Sequence, residues 1–295
     1  MNGDRHRFNW RLRAHRIDSS INRCPSEGSG FAVHPIRLAV LALTVAIVAG
    51  ACAADDPRLD GPPTGDSTYP DLVPDPPEAL RTRTEDDGRQ LILFSSILTN
   101  IGEGDFLLDG LKSGDDWVVE QSIPYSESGS LEVPVEPRMV WGGDGHGHWH
   151  VARVAVNWVQ ALGEDGEPVE DFEILYDAKV GFCFFDSHHN LESGADDPRY
   201  DSSGCGGEDS NTFDMGLSVG WSDEYDFTLP GQEIEVTGLP DGMYRLWSEA
   251  DPEGWFRESS KDNNLTWVNF ELSTRAEDGQ RLALVVERGP KSSDY

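Results

Sequence analysis

The chain has 295 residues, with 54 Asp and Glu against 23 Lys and Arg and a formal net charge of −31. A chain of this length accommodates one or two domains. The large excess of carboxylates argues against nucleic acid as a partner, because binding to phosphates requires a cationic face. An acidic surface attracts cationic ligands instead, and it equally suits solubility or adaptation to salt.

The first 51 residues predict an export signal. Leu38–Ala51 is an uncharged apolar run of 14 residues that follows Arg37 and an arginine-rich stretch. This run is shorter than the roughly 20 residues of a transmembrane helix, and its charge, apolar core and small-residue end are typical of a secretory signal. Ala49–Cys52 (AGAC) resembles the lipobox of bacterial lipoproteins. We therefore expect an exported lipoprotein, anchored in the membrane by a lipid at Cys52 and located at the cell surface or the periplasmic face. Cleavage and secretion is the alternative.

The composition after the leader divides the rest of the chain into a linker, a domain and a tail. Residues 52–88 are rich in proline and aspartate, and such a composition predicts a disordered linker because it cannot bury a core. Residues 89–288 form the expected folded domain, which is long enough for one substantial core. Residues 289–295 are a short tail. Without residues 1–52, 16 basic and 51 acidic residues remain, a formal charge of −35.

The sequence of the expected domain predicts β-structure throughout. Short runs rich in β-branched and aromatic residues alternate with clusters of Gly, Pro, Asp and Asn, and no long stretch has an apolar period of 3.6 residues. The predicted fold is therefore all-β, an antiparallel β-sandwich with long loops. The clearest strand candidates are Gln90–Thr99, Val151–Gln160, Met243–Glu249, Leu265–Leu272 and Leu282–Glu287.

The cysteines agree with export. Cys24 and Cys52 belong to the leader and the anchor, which leaves Cys183 and Cys205. An even pair is common in compartments where disulfides persist. A bridge between these two would close a loop of about 22 residues and contribute on the order of 3 kcal/mol in the chain-entropy model. The sequence leaves open whether the bridge forms.

Three of the five histidines that follow the leader lie in the run GHGHWH at residues 145–150. In an extended strand, alternate side chains share a face about 7 Å apart, so His146, His148 and His150 would project together toward one ion. Imidazole suits copper and zinc, and copper(II) is the stronger binder. In a strand without a bulge, the same face would continue through Ala152, Val154, Val156 and Trp158. We therefore expect a metal site on the core side of a sheet. A second histidine pair, His188-His189, lies in a predicted loop and receives no role.

Four segments between residues 146 and 272 resemble, in order, the catalytic domain of lysyl oxidases, and a weaker likeness covers Leu91–Leu108. They are HGHWH at 146–150, KVGFC at 179–183, GLSVG at 216–220 with DEY at 223–225, and DGMY at 241–244 with Glu258 and Asn263-Asn264. They are similar to the family's H-x-H-x-H, K-x-x-F-C, G-L-S-P-G with D-x-Y, and closing strand pair with its N-N turn.

The resemblance implies a copper amine oxidase. His146, His148 and His150 would bind copper, and Lys179 and Tyr225 would form lysyl tyrosylquinone, a cofactor made from the chain itself. Copper and dioxygen can oxidise a nearby phenol to an ortho-quinone, and a lysine amine can add to this electrophilic ring when burial and the metal charge keep that amine neutral. The enzyme would convert primary amines, either peptidyl lysine or small cationic amines, to aldehydes and release hydrogen peroxide and ammonia.

Amine oxidation also needs a base within hydrogen-bond reach of the proton that it removes. Asp223 precedes Tyr225 by two residues and would share its face if this piece of chain is extended. Asp223 is therefore the first candidate for the base, and Asp186 is the second. The alternative for either residue is a solvated loop carboxylate.

The chain departs from the family pattern at several positions. Val219 replaces the proline of G-L-S-P-G, Trp221-Ser222 replaces a cysteine-containing pair, and Ser187–Thr212 is longer and acidic. None of these changes removes a proposed ligand or cofactor residue, but they leave the substrate open. Two other functions also stay open. One is a copper-binding surface lipoprotein without catalytic activity, and the other is a zinc hydrolase that uses the same histidines and an activated water.

Overall fold

A computed structural model describes residues 68–125, 129–142, 147–170, 172, 175–177 and 181–295 of the chain. The predicted export signal and the lipid anchor at Cys52 lie outside the described residues, and so do His146 and Lys179. Within the described ranges, no helix is long and apolar enough to cross a membrane.

The described residues form seventeen β-strands and no α-helix, and all strand pairs are antiparallel, which confirms the predicted all-β class. Two short 3₁₀ turns lie at Ser202–Cys205 and Ser292–Asp294. The strands are β1 (Leu72–Pro74), β2 (Glu78–Thr84), β3 (Gln90–Asn100), β4 (Phe106–Ser113), β5 (Asp116–Tyr125), β6 (Gly129–Val135), β7 (Met139–Trp141), β8 (Trp149–Val151), β9 (Ala155–Ala161), β10 (Leu175–Asp177), β11 (His188–His189), β12 (Thr212–Leu217), β13 (Trp221–Tyr225), β14 (Glu233–Glu235), β15 (Gly242–Ala250), β16 (Leu265–Thr274) and β17 (Arg281–Arg288).

Two sheets form the sandwich. The six-stranded sheet has the order β1-β3-β13-β11, and β2 and β14 also pair with β3, whereas the five-stranded sheet has the order β10-β9-β15-β16-β17. Apolar side chains from both sheets meet between them, among them Phe94 of β3 with Leu246 and Phe270. The alternation along β15 explains this arrangement, because Tyr244, Leu246 and the following alternate residues are buried while their neighbours face outward.

A second apolar core lies beside the sandwich and supports the candidate site. The four-stranded sheet β12-β4-β5-β6 and the β7–β8 hairpin surround it. Phe106 lies at its centre, with ring centroids 4.6 Å from Phe184 and 5.0 Å from Phe256. Val151 and Tyr225 belong to the same core. Both the histidine hairpin and β13 are therefore held against one packed interior.

The predicted strand Val151–Gln160 is wrong as a single element. β8 ends at Val151 and β9 begins at Ala155. Arg153 between them has a φ of +60°, a left-handed conformation that breaks an extended chain, and its side chain forms an ion pair of 2.9 Å with Glu253. The histidine strand therefore does not share a continuous face with Trp158. The other four predicted strands each correspond to one observed strand, namely β3, β15, β16 and β17.

The predicted boundary between a disordered linker and the domain at residue 89 is also wrong. Within residues 68–88, β1 and β2 pair with β3, and Leu72 and Leu80 are buried. Proline does not prevent this pairing, because Pro74 lies in β1 at the edge of the sheet, where a missing N–H group is tolerated. Two acidic residues of this segment are not solvated spacers either, since Asp71 and Asp75 are buried and hydrogen-bonded.

Asp75 joins the two ends of the domain. Its carboxylate accepts hydrogen bonds from the Thr99 hydroxyl and the Asn190 side-chain amide, both at 2.8 Å. It also accepts the backbone N–H of Ser292 at 2.8 Å and the Ser292 hydroxyl at 3.1 Å. The predicted tail 289–295 therefore packs against the N-terminal segment, and Ser292 is buried there.

Asp75→Ala would remove this acceptor from the buried Thr99 hydroxyl and from the buried N–H and hydroxyl of Ser292. Each lost partner of this kind costs about 1–3 kcal/mol, so we expect the free energy of unfolding to fall by about 3 kcal/mol or more, measured by urea denaturation. Asp86→Ala, in the exposed turn between β2 and β3, is the matched control and should change stability by less than about 0.5 kcal/mol. Equal effects of the two variants would show that residues 68–88 are not part of the cooperative fold.

Candidate metal and cofactor site

The β7–β8 hairpin positions the described histidines. In this hairpin, Val140 pairs with His150 and Trp141 pairs with Trp149. The other edge of β8 is bound to the segment after Lys179, because Val151 and Phe182 exchange two backbone hydrogen bonds of 2.8 and 3.0 Å. His150 is therefore held from both sides, and only 5% of it is exposed.

The run GHGHWH is not one regular strand over its described part. Only Trp149–Val151 is extended, and Gly147 has a φ of +68°, which glycine adopts without strain. The rings of His148 and His150 approach to 4.8 Å between centroids, closer than the spacing of alternate residues along a regular strand. Local bending of the chain thus brings these two imidazoles together, whereas the sequence predicted an extended strand. His146 lies outside the described residues.

Tyr225 lies against His150. β13 pairs with β3, with Tyr225 opposite Ser96, and this pairing directs the phenol into the second core, where 5% of the residue is exposed. Its hydroxyl oxygen lies 3.3 Å from Nε2 of His150 and accepts a 3.0 Å hydrogen bond from the backbone N–H of Cys183. Its ring contacts Phe182 at 4.5 Å between centroids. The phenol can therefore donate its proton to His150 while Cys183 holds its oxygen.

Gly181 brings the segment after Lys179 directly beside His150. A Cβ atom at Gly181 would lie 3.2 Å from Cβ of His150 and 3.3 Å from the carbonyl oxygen of Val151. Contacts this short require a neighbour to shift, so glycine suits the close approach of the two backbones. Lys179, two residues earlier, lies outside the described part of the chain.

Asp223 faces the same interior as Tyr225 because β13 is extended. The residue is fully buried, and neither carboxylate oxygen has a hydrogen-bond partner among the described residues. Burial raises the pKa of Asp223 well above its usual range, and the negative charges of Asp186 and Glu224 raise it further. A buried carboxyl without a partner is costly in a folded protein, and such groups are concentrated at functional sites.

Asp186, the second candidate for the base, has a different environment. Its carboxylate accepts the backbone N–H groups of Arg199 and Tyr200 at 2.7 and 3.2 Å, and both the N–H and the hydroxyl of Ser218 at 2.7 Å. Four hydrogen bonds fill the usual capacity of a carboxylate. This residue therefore ties the loop at 199–200 to Ser218, which supports a structural role.

His188 and His189 are not brought to the other histidines. They form β11 at the edge of the six-stranded sheet, and both are exposed. Nδ1 of His188 lies 3.4 Å from a carboxylate oxygen of Glu224, whose neighbour Tyr225 projects to the opposite side of β13. His189 stacks on Trp221, with ring centroids 5.0 Å apart.

Cys183 and Cys205 form a disulfide, with Cα atoms 5.7 Å apart. Both residues are fully buried in the second core. The bridge holds the backbone of Cys183, whose N–H contacts Tyr225. Sequence reasoning did not reveal this N–H donor or the packing of Phe182 on the phenol, because neither contact has a signature in residue type or spacing.

The part of the resemblance around Glu258 belongs to another buried polar network. Glu258 accepts the backbone N–H of Leu72 at 2.8 Å and the side-chain amide of Asn264 at 3.2 Å. Burial raises the pKa of Glu258 to about 7, and the ammonium of Lys261, at 3.1 Å, opposes that rise. The same ammonium lies 2.6 Å from Asp251. These residues join the loop before β16 to β1 and lie outside the histidine site.

The donor set fits a copper or zinc ion in chemical type. Two imidazoles, one of them buried, lie together, and imidazole is a preferred ligand of both metals. Within the described ranges, no group of three His, Cys, Asp or Glu side chains has metal-binding geometry. The proposed third ligand, His146, is outside those ranges.

Comparison with known protein families and with curated proteins found no match to this chain. The resemblance to lysyl oxidases therefore rests on the four motifs in the sequence.

The buried carboxyl of Asp223 predicts a pH-dependent stability difference. Because the pKa of Asp223 is raised in the folded state, folding favours the protonated form, and this group destabilises the protein increasingly as pH rises from its unfolded-state pKa toward its folded-state pKa. Asp223→Asn removes the ionisation. We expect the variant to be more stable than the parent at pH 8 by about 1–3 kcal/mol and equal to it near pH 3.

Thermal denaturation between pH 3 and pH 8 measures this difference. Asp209→Asn, at an exposed loop position, is the matched control and should follow the parent at every pH. If Asp223→Asn destabilises the protein at pH 8, the carboxylate has a stabilising partner in the folded state and the assignment of an unpaired group is wrong.

Proposed function

We propose that this protein is a copper-dependent amine oxidase of the lysyl oxidase type. It would convert primary amines, either peptidyl lysine or small cationic amines, to aldehydes with release of hydrogen peroxide and ammonia. One observation carries the proposal: the phenol oxygen of Tyr225 lies 3.3 Å from Nε2 of His150 although 75 positions separate the residues. Two motifs that were matched independently in the sequence thus meet at one buried point.

The roles follow from the resemblance, and the geometry supports them. His146, His148 and His150 would hold copper, and Lys179 and Tyr225 would form lysyl tyrosylquinone. When bound, copper supplies redox chemistry with dioxygen, and the finished cofactor supplies an electrophilic carbonyl for a primary amine. The chain itself positions the phenol, because the N–H of Cys183 binds its oxygen and Phe182 packs on its ring.

The position of Gly181 supports the pairing of Lys179 with Tyr225. Gly181 lies against His150, which itself contacts the phenol. Two residues of extended chain span at most about 7 Å, and a lysine side chain adds four methylene groups to this reach. The covalent chain between Lys179 and Gly181 is thus short enough to bring the amine to Tyr225.

Asp223 is the proposed base because it combines burial with a position two residues from Tyr225 on the same strand face. A raised pKa lies closer to neutral pH, and a general base is most effective when its pKa is near the pH at which the enzyme works. A cationic amine that enters the site would favour the ionised form of Asp223, so the base would gain its charge when substrate is present. Asp186 is less suited to this role, because its carboxylate already accepts four hydrogen bonds.

The two alternative functions do not explain why a buried phenol lies beside the histidines. A non-catalytic copper-binding lipoprotein and a zinc hydrolase each need imidazole ligands, but neither needs a buried phenol within hydrogen-bonding distance of one of them. The acidic surface favours a cationic substrate by electrostatic attraction. The buried phenol supports amine oxidation over the alternatives, and the acidic surface is compatible with its cationic substrate.

The covalent cofactor provides the most direct test. Peptide mass spectrometry of the full chain, loaded with copper and exposed to dioxygen, should show a cross-linked peptide pair that contains Lys179 and Tyr225. Tyr225→Phe should abolish the cross-link because a ring without the phenol oxygen is not oxidised to the ortho-quinone, and His148→Ala should abolish it by weakening copper binding. Tyr244→Phe is the matched control, since the Tyr244 hydroxyl donates to the carbonyl of Pro240 in the other core, and it should retain the cross-link.

Turnover is measured by hydrogen peroxide release with cadaverine or a lysyl peptide. We expect release from the copper-loaded parent and loss of at least about 100-fold in Tyr225→Phe. Tight copper binding with neither cross-link nor peroxide would establish the non-catalytic copper protein instead. Zinc-dependent hydrolysis without peroxide would establish the hydrolase.

A further inference from the structure

Three tryptophans lie together on the side of the β7–β8 hairpin away from Tyr225. Trp149, between the two described histidines, has its ring centroid 5.2 Å from that of Trp117 and 5.4 Å from that of Trp141. We call Trp117, Trp141 and Trp149 the tryptophan cluster. Because side chains alternate along β8, Trp149 and His150 point to opposite sides of the strand.

An ammonium group already lies over this cluster. Nζ of Lys112 is 5.2 Å from the ring centroid of Trp149 and 5.9 Å from that of Trp117, distances at which a cation is attracted to an indole face. Among the described residues, Lys112 forms no ion pair, although the chain has 54 carboxylates. The indole faces, and no carboxylate of the described residues, are therefore the electrostatic partners of the Lys112 ammonium.

The cluster also has an unused hydrogen-bond donor. The indole nitrogen of Trp117 is buried and lacks a partner within the described part of the chain, whereas that of Trp149 donates to the carbonyl of Gly207 at 3.1 Å. Buried indole N–H groups usually have an acceptor. A bound ligand with a carbonyl group could supply one.

A second cation–π group in the domain, formed by an arginine and two tryptophans, is held by a polar contact as well and serves as a structural comparison. The guanidinium of Arg245 lies 4.2 Å from the ring centroid of Trp267 and 4.9 Å from that of Trp247. It is also fixed by a hydrogen bond of 2.8 Å to Asn269. Lys112 has no such polar anchor in the described structure, and its flexible side chain can leave the rings.

We propose that the tryptophan cluster is a recognition subsite for a primary alkylammonium group, which Lys112 occupies in the free protein. A ligand ammonium displaces Lys112 and takes its position over Trp117 and Trp149. The role of this subsite rests on the proposed amine oxidation: it would bind a neighbouring lysine of a peptide substrate on the opposite side of β8 from His150, while another lysine of the same peptide reacts at Tyr225.

Calorimetric titration of the full-length, metal-free protein tests the subsite without any need for turnover. The probes are cadaverine and an acetylated, amidated dilysine peptide. Lys112→Met keeps the aliphatic chain but removes the competing ammonium, and we expect the affinity for both probes to rise about threefold to tenfold, the size of a typical cation–π contact. Trp117→Leu should weaken binding by a similar factor, and Trp117→Phe should weaken it less.

Two variants elsewhere serve as controls. Trp247→Leu removes an indole from the Arg245 group, and Lys291→Met removes an ammonium from the C-terminal segment; neither should change the affinity. Unchanged or weaker binding by Lys112→Met would overturn the proposal, and so would the absence of binding by both probes. If Trp117→Leu does not fold, Lys112→Met decides alone.

The outcomes separate the subsite from the catalytic proposal. Binding of the probes by metal-free protein, improved in Lys112→Met, supports the subsite even if no Lys179–Tyr225 cross-link forms. The opposite outcome would support the oxidase and refute the subsite: the cross-link forms and peroxide is released, but Lys112→Met and Trp117→Leu leave the affinities for the probes unchanged. Tighter binding of the peptide than of cadaverine would support a carbonyl acceptor for the Trp117 indole.

Discussion

The contact between the phenol of Tyr225 and the imidazole of His150 depends on two separate strand pairings. β7 holds β8 in place, and β3 holds β13, so that the two side chains meet in one apolar core. Burial strengthens this contact, because a polar pair in a medium of low dielectric interacts more strongly than the same pair in water. The disulfide, Gly181 and Phe182 support this contact and add no charge of their own.

The buried carboxylates have two kinds of environment, one with hydrogen-bond or ion-pair partners and one without them in the described structure. Asp75 and Asp186 each accept four hydrogen bonds, and Lys261 compensates both Asp251 and Glu258. Such groups connect distant segments and stabilise the fold. Asp223 is buried without a partner in the described structure, so it costs stability. Asp223 therefore breaks the pattern kept by the other buried carboxylates, and this contrast supports its proposed role as the base.

Sequence patterns located the strands that are framed by turn residues and missed those that depend on distant partners. β15, β16 and β17 follow from local alternation and the Gly, Pro and Asn signals beside them. β1 and β2 lie in a proline- and aspartate-rich segment, and their order comes from pairing with β3 and from the partners of Asp75. Composition alone cannot report such partners. The break at Arg153 was missed for a similar reason, because its ion pair is with Glu253, 100 positions away.

The sequence by itself determined the all-β class and the residue types of the candidate site, because strand periodicity and a histidine run are local properties. It also indicated the chemistry through the order of four motifs. Only the tertiary structure decided that Tyr225 lies against His150 and that Lys112 lies over the tryptophan cluster. It also decided that buried Asp186 is hydrogen-bonded, whereas buried Asp223 has no partner among the described residues. These contacts join residues dozens of positions apart, and their distances are set by sheet register and core packing.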